Sequence, residues 1–484
     1  MLFLLLLTSG CSTSKIAATG GYEDVDAEFG EVTFTEKEDS FRVGVLLPLS
    51  GEASKQGQGL KNATLLALDD VRNPNLILQF YDTKGTPGGA RVAVENALNQ
   101  RSRLIIGPLM SSEVRAISSA AVSKEVPVIA FSTSADVLER GVYTLGLLID
   151  EQVNRIMTFA AERGRSRFAL LLPDNSTGIA VAKAAVASAQ KNGVRVVRIA
   201  FYPPETTDFS NILKKMTDYP QRVARLEKIR ASLNSRADRG DANAIRILKR
   251  LEPLDTLGDV DFDAVLIPEY GPRLKSAASM FGYYDVFSPK VKFLGTSIWE
   301  NTNLSKETTL YGSWYPAMSR AHSSYFAAKY NDLIGERPST LYSFAYDGVA
   351  LASALSKQDG GDLNETIASP DGYVGINGAF RLLPDGRNEH SLDIVEIRST
   401  GDTVIDAAPK RFSETPEEEN RGIFVDSSYK APLIFGKDNA LAQTLIYGHQ
   451  LSPENQPSTY ISSEKEQEIV REALAKLNIR VPQM

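Results

Sequence analysis

From residue 41 onward, short apolar runs alternate with segments of helical period. Phe41 to Pro48 is almost continuously apolar and ends on proline, the pattern of a strand buried on both faces of a parallel sheet. Leu60, Ala63, Thr64, Ala67, Leu68 and Val71 then recur at three-and-four spacing until Asn73-Pro74 stops them, which predicts a helix. Strands follow at Leu76–Tyr81, Arg103–Ile106 and Val126–Ala130, with helices carried by Ala90, Ala93, Val94, Ala97 and Leu98 and by Val114, Ile117 and Ala121. Strands alternating with helices predict an α/β fold with a doubly wound parallel sheet.

The alternation restarts with a helix over Glu151–Glu162, a strand over Arg167–Leu172, a helix over Gly178–Lys191 and a strand over Val194–Phe201, so a second lobe is expected. It resumes at Asp263–Pro268, a helix through Met280 and a strand over Val291–Leu294. Helical patterns near 320–333 and 340–356 give way to strands at Gly372–Phe380 and Ser391–Ile397. Between the two stretches of the second lobe, Gln221–Arg250 carries nine basic and three acidic residues, with apolar residues at helical spacing on both sides of Gly240. That pattern predicts a helical hairpin, an arm over about 218–254. Its arginines, Arg222, Arg225, Arg230, Arg236 and Arg239, either solvate a helix face or form a surface for an acidic partner or anionic polymer. Past Ala407 prolines interrupt the rhythm. Ser463-Glu464-Lys465-Glu466 then reads as a capping box before Ile469, Val470, Ala473, Leu474 and Leu477, a final amphipathic helix.

Composition narrows the functional classes. With 484 residues there is room for about three domains of roughly 150 residues. A net charge of −7 opposes a general nucleic-acid binder. One cysteine and three histidines, His322, His390 and His449, are too few and too scattered for a zinc cluster. Asp259, Asp261 and Asp263 alternate as in a calcium loop, but Ala264 stands where the turn needs glycine, so a solvated strand entry is the better reading. Gly57-Gln58-Gly59 opens a dinucleotide fingerprint that Asn62 does not complete, and no phosphate-binding loop or serine-hydrolase elbow occurs. No catalytic residues, metal or cofactor are therefore expected, and the protein reads as a non-enzyme.

The N-terminus carries an address. Ser9-Gly10-Cys11 follows an apolar run too short to span a bilayer and resembles a bacterial lipobox, with Thr8 where an aliphatic residue is usual. The resemblance implies a signal over 1–11, acylation of Cys11, and, with Ser12 next, periplasmic anchoring to the outer membrane by lipid alone. Residues 12–40, with eight acidic and two basic side chains, read as a flexible tether of about 30 Å.

Hydroxyl clusters mark the ends of two predicted strands: Ser111 and Ser112 after Gly107-Pro108-Leu109-Met110, and Ser132, Thr133 and Ser134 after Ala130-Phe131. Open α/β sheets hold ligands at such edges, and hydroxyls with free backbone N–H groups suit an anionic oxygen; plain N-capping is the alternative.

Three ordered motifs, Val43-Gly44-Val45-Leu46-Leu47-Pro48-Leu49-Ser50-Gly51, Ile106-Gly107-Pro108-Leu109 with Ser111-Ser112, and Pro127-Val128-Ile129-Ala130, resemble type I periplasmic binding proteins of the leucine/isoleucine/valine-binding class over roughly 41–400. The resemblance implies two lobes joined by three crossovers, near 147, 316 and 372, around a cleft that closes on ligand. Lobe 1 would comprise 41–147 and 317–372, lobe 2 148–316 and 373–406, and 407–484 would be a C-terminal extension. Ser111 matches the serine that holds the amino-acid carboxylate, and Ser132–Ser134 the second binding segment. Gln56 and Thr177 stand where aromatics are usual, while Tyr270 keeps one. Ser297 falls where an acidic anchor for the ligand ammonium belongs, with Glu300 reaching that role only by an alignment slip. Loss of that anchor argues against a free amino acid. Gly375 to Gly386, with its Pro384-Asp385-Gly386 turn, resembles the terminal hairpin of lipoprotein activators of penicillin-binding proteins. That narrower resemblance implies activation of peptidoglycan synthesis through a penicillin-binding protein. The alternative is a solute-binding receptor for amino acids or a related small molecule in an ABC import system, with an ABC transporter permease as partner; the small ligand expected is amino-acid-like or a muropeptide.

Overall fold

The two apolar faces expected of each strand are both covered. Lobe 1 is built from β1 (Phe41–Leu47), α1 (Ser54–Val71), β2 (Leu76–Asp82), α2 (Pro87–Asn99), β3 (Leu104–Ile106), α3 (Ser111–Val122), β4 (Val128–Ala130) and β5 (Val142–Thr144), in a computed structural model that describes residues 40–132, 137–319, 323–358, 360–412, 429–456 and 461–479. Its five strands run parallel in the order β2-β1-β3-β4-β5. One face packs Val43, Val45, Leu60 and Ala63 against residues from 344–355, and the other packs Leu46, Val94, Ile105 and Ile117. The tether, Cys11, Thr133 and Ser134 lie outside the described residues; Phe41 onward forms one compact unit.

Lobe 2 contains α4 (Ile149–Glu162), β6 (Arg167–Pro173), α5 (Ser176–Lys191), β7 (Arg195–Tyr202), α6 (Ser210–Met216), the arm helices α7 (Tyr219–Ala237) and α8 (Ala242–Leu251), β8 (Ala264–Leu266), α9 (Gly271–Tyr283), β9 (Lys292–Leu294) and β10 (Trp314–Met318). The chain returns to lobe 1 with α10 (Ser323–Ile334), α11 (Thr340–Leu355) and α12 (Leu363–Ile367). It continues through β11 (Tyr373–Gly375), β12 (Gly378–Leu382) and β13 (Asn388–His390), then β14 (Leu392–Glu396) and β15 (Thr403–Asp406). The extension adds β16 (Leu433–Phe435), α13 (Asn439–Tyr447) and α14 (Ser463–Lys476). The second sheet has the order β15-β14-β10-β9-β8-β6-β7-β16, parallel except where β14 runs antiparallel to β10 and β15.

Three expectations change. The third crossover is not near 372. Strands β11, β12 and β13 make a separate antiparallel meander whose Ile376, Phe380 and Leu382 are buried in the core of lobe 1, so the chain re-enters lobe 2 only at β14. The alternation, expected to be lost past Ala407, also continues into the extension. β16 pairs with β7 in parallel, the Tyr429 hydroxyl accepts from Val196 N at 2.9 Å, and Ala442 and Ile446 of α13 join the core beside α5. The last helix is capped by Ser462, whose hydroxyl accepts from Lys465 N, one residue before the expected cap.

The arm is a hairpin turning at Gly240, and its apolar face is covered from within the chain. Leu226, Leu233, Ala244, Ile247 and Leu251 share a small core with Val470, Leu474 and Ile479, the last two turns of α14 and the residues after it. No described helix is long and apolar enough to cross a membrane.

Candidate functional site

Among the described residues, those predicted for the cleft fall at the C-terminal end of a strand or in the helical turn that follows. In lobe 1, Gln56 lies exposed in the first turn of α1. Ser111 and Ser112 open α3, half-buried and exposed, and Ser132 is buried just after β4. Neither serine caps α3. Met110 holds the cap position, and the buried Glu113 carboxylate accepts from Met110 N at 2.9 Å. Burial pushes Glu113 above the usual carboxylate range, opposed by hydrogen bonds from Thr83 and Met110. Gly107, at φ +92°, carries the chain over β1: a Cβ there would lie 2.1 Å from Leu46 O, which is why the residue before Pro108 is glycine.

In lobe 2, Thr177 is exposed in the first turn of α5, which Asn175 caps by accepting from Gly178 N. Tyr270 stands before α9 with half its surface exposed, its backbone N–H donating to the buried Glu269 carboxylate, which Arg273 and the Tyr202 hydroxyl also bond. Ser297 is engaged in a structural tie, donating from both N and Oγ to Gln152 Oε1, while Gln152 Nε2 donates to the carbonyls of Leu147 and Leu148 at the first crossover.

The sequence reasoning missed the space that both lobes line. A cavity of about 810 Å³ is bounded by Lys55 of α1, Glu300 from the turn after β9, Met318 and Ser319 at the second crossover, Arg337 to Ser343 around the start of α11, and Asn377 of the meander. Lys55 is the neighbour of Gln56, and Glu300 lies in the same short helical turn as Ser297, Ser297–Asn301, but among the described residues none of those predicted for the cleft lines the cavity itself. Its deep wall is preorganised. Asn377 Nδ2 donates to Ser343 Oγ at 2.7 Å and Ser343 Oγ to Thr340 O at 2.6 Å, with both side chains buried. Gly59 lets α11 approach α1 here, because a Cβ would fall 2.1 Å from the Tyr342 ring. The lining combines hydroxyls and an amide with cations (Lys55, Arg337) and anions (Glu300, Glu336), chemistry that suits a small polar ligand bearing both signs of charge.

Residues 40–220 match the family model described as periplasmic binding protein. Among solved structures, one from Rhodospirillum rubrum aligns at TM-score 0.59 and 15% identity over 76% of this chain and all of that one. A periplasmic ligand-binding protein of a branched-chain amino acid ABC transporter from Burkholderia xenovorans aligns at TM-score 0.56 and 15% identity, over 77% and 96% of the two chains. An ABC transporter substrate-binding protein from Sphaerobacter thermophilus aligns at 0.55 and 17%, over 77% and 98%. The fold is that of the periplasmic binding proteins. A curated relative, an uncharacterised protein of Rickettsia prowazekii, is 22% identical over 143 residues, and the alignment spans 29% of this chain and 38% of that relative's length.

The cavity lined by both Lys55 and Glu300 lies between the two lobes of this fold. The arm arginines do not present the expected partner surface. Arg222, 2% exposed, donates to Gly258 O, Tyr284 O and Thr256 Oγ1 and pairs with Asp285; Arg225 pairs with Glu466 of α14 at 2.6 Å. Arg230 donates to the carbonyls of Leu251, Glu252 and Leu254, and Arg236 pairs with Asp241, which leaves Arg239 as the exposed member. The aspartates before β8 likewise act as ties: Asp261 holds the buried Arg198, Asp259 pairs with Lys290 and Lys476, and Asp263 accepts from Ser166 N and Arg167 N. Among the described residues no group of three or more His, Cys, Asp or Glu is arranged to hold a metal ion.

Proposed function

We propose that the chain is a non-enzymatic periplasmic binding protein whose interlobe cavity takes a small zwitterionic solute of amino-acid type. One observation carries the reading: opposite charges from the two lobes, Lys55 and Glu300, line a single polar cavity with a hydroxyl-rich wall. Glu300 supplies the carboxylate that Ser297 does not, and Lys55 or Arg337 suits a ligand carboxylate. Several similar structures bear names of ABC-transporter binding proteins, so a transporter permease is the partner this reading favours.

A second reading rests on the part of the chain beyond the shared fold. The arm and α14 form a small helical module on lobe 2, with its own core. A lipoprotein anchored through Cys11 to the outer membrane, activating a penicillin-binding protein through that module, uses the cleft for a muropeptide or not at all. Thermal unfolding of the whole chain with a panel of amino acids, short peptides and muropeptides separates the two. A ligand at 100 times its dissociation constant adds about 2.7 kcal/mol of stability. Stabilisation by an amino acid supports the solute receptor. Stabilisation by muropeptides alone, or by nothing in the panel, overturns it in favour of the activator.

A further inference from the structure

Three titratable side chains, Glu151, Asp347 and His390, meet where the chain crosses between lobes. Glu151 sits in the first turn of α4, just past the first crossover; its Oε1 accepts from the backbone N of His390, the last residue of β13 before the third crossover. Glu151 Oε2 lies 3.6 Å from His390 Nδ1, and neither atom has a hydrogen-bond partner. The imidazole is enclosed, stacked on Phe380 and edge-on to Phe344. Behind it, Asp347 of α11 is buried and accepts from Ile376 N at 2.8 Å, at the meander turn that leads to His390; Gly375 leaves it room, since a Cβ there would touch the carboxylate. Asn388 fastens the same strand to Gly146 O of the first crossover. The first and third crossovers therefore share one polar cluster.

We infer that Glu151, Asp347 and His390 form a proton-operated clasp at the hinge: the neutral cluster holds the lobe arrangement seen here, and loss of protons favours a rotated arrangement that admits water. The inference concerns the hinge and stands whatever the cleft binds. Burial is the physical cause. It pushes Asp347 up to about 7, raises Glu151 well above its ordinary range with help from Asp150 and Glu389, and holds His390 down at about 4 against the pull of Asp347. Of the other charged groups on the packed elements, Glu389 pairs with Arg381, Arg155 bonds Leu392 O and Asp406, Asp393 accepts from Ala408 N, and Asp150 adjoins Glu151 on α4. The two carboxyls bind protons more tightly when buried and the imidazole binds its proton less tightly. Two groups against one leave the buried arrangement with the greater proton count between about pH 5 and 7, so raising pH through that window weakens the clasp.

The test is an interlobe distance measured by pulsed electron spin resonance in the whole chain, with labels at Arg91→Cys of α2 and Lys183→Cys of α5 on a Cys11→Ser background. The expected result is a distance distribution that shifts between pH 5 and pH 8, with Glu151→Gln and Asp347→Asn each diminishing the shift and resembling the pH 5 state at both values. Identical distributions at the two pH values, or an undiminished shift in both variants, overturns the inference. Should a variant fail to fold, the unsubstituted protein still decides. Of three histidines in the chain, His390 is expected to keep its imidazole neutral to near pH 4 while its NMR signals respond near pH 7 to Asp347. A simple titration near 6.5 refutes the clasp.

Discussion

Arg222 shows why counting exposed-looking charges misreads a surface. Its guanidinium satisfies the carbonyls of Gly258 and Tyr284, the Thr256 hydroxyl and the Asp285 carboxylate, and joins the arm to the end of α9. Truncation removes the guanidinium from the Gly258 and Tyr284 carbonyls and the Thr256 hydroxyl, while Asp285 keeps the hydrogen bond donated by Thr256 Oγ1. Because Asp285 keeps partial contact with water, Arg222→Ala is expected to cost about 2–4 kcal/mol rather than the upper range for a fully buried pair. Arg239, exposed on the same arm, should stay within about 0.5 kcal/mol on substitution. Urea midpoints of the two variants check this, and equal midpoints would show that Arg222 is no internal tie.

At the scale of elements, the arm depends on a helix more than two hundred residues away in sequence. Leu474 and Val470 of α14 fill the groove between α7 and α8, so Leu474→Ala is expected to destabilise the module by about 2–4 kcal/mol and leave the two sheets intact. Because α7 and α8 are rich in arginine and lysine, limited trypsin digestion reads this directly. Cleavage within 222–250 should accelerate several-fold while the rest of the chain resists, and an unchanged rate would place the module's stability elsewhere. The long strands β1, β6 and β7 and the helices of lobe 1 were legible in the sequence because burial on both sheet faces makes continuous apolar runs and one-sided helices make periodic ones. β5 and β16 were not. Each is three residues long, held by a neighbour rather than by its own pattern, and β16 and α13 follow a proline-punctuated stretch. The meander was visible only in part, as one strand over Gly372–Phe380 that the structure divides into β11 and β12, with β13 unread; its allegiance to lobe 1 depends on where Phe380 and Leu382 bury, which strand patterning does not encode. The site was legible only as strand edges. Lys55, Glu300, Ser343 and Asn377 become neighbours of one cavity through packing of α1, α11 and the crossovers; Glu300 was legible only as a neighbour of the expected anchor position, and nothing in the local sequence marks Lys55 or Ser343.

For the whole molecule, a ligand in the cavity is a bridge between lobes, and this gives the cleft reading its sharpest consequence. Lys55 belongs to lobe 1 and Glu300 to lobe 2, so a zwitterionic ligand that engages both has its affinity divided between the two lobes. Losing either charge should weaken binding at least tenfold. At fixed ligand concentration well above the dissociation constant, that removes about 1.4 kcal/mol of the stabilisation the ligand confers. Lys55→Ala and Glu300→Gln should both lower the ligand-induced rise in melting temperature. Lys55 is exposed, and its removal should scarcely change the melting temperature without ligand. Calorimetric titration of both variants with the ligand identified in the panel separates the possibilities. Loss of affinity in both supports a bridging ligand. Loss in one alone means the ligand sits on a single lobe, and no loss in either places it outside this cavity.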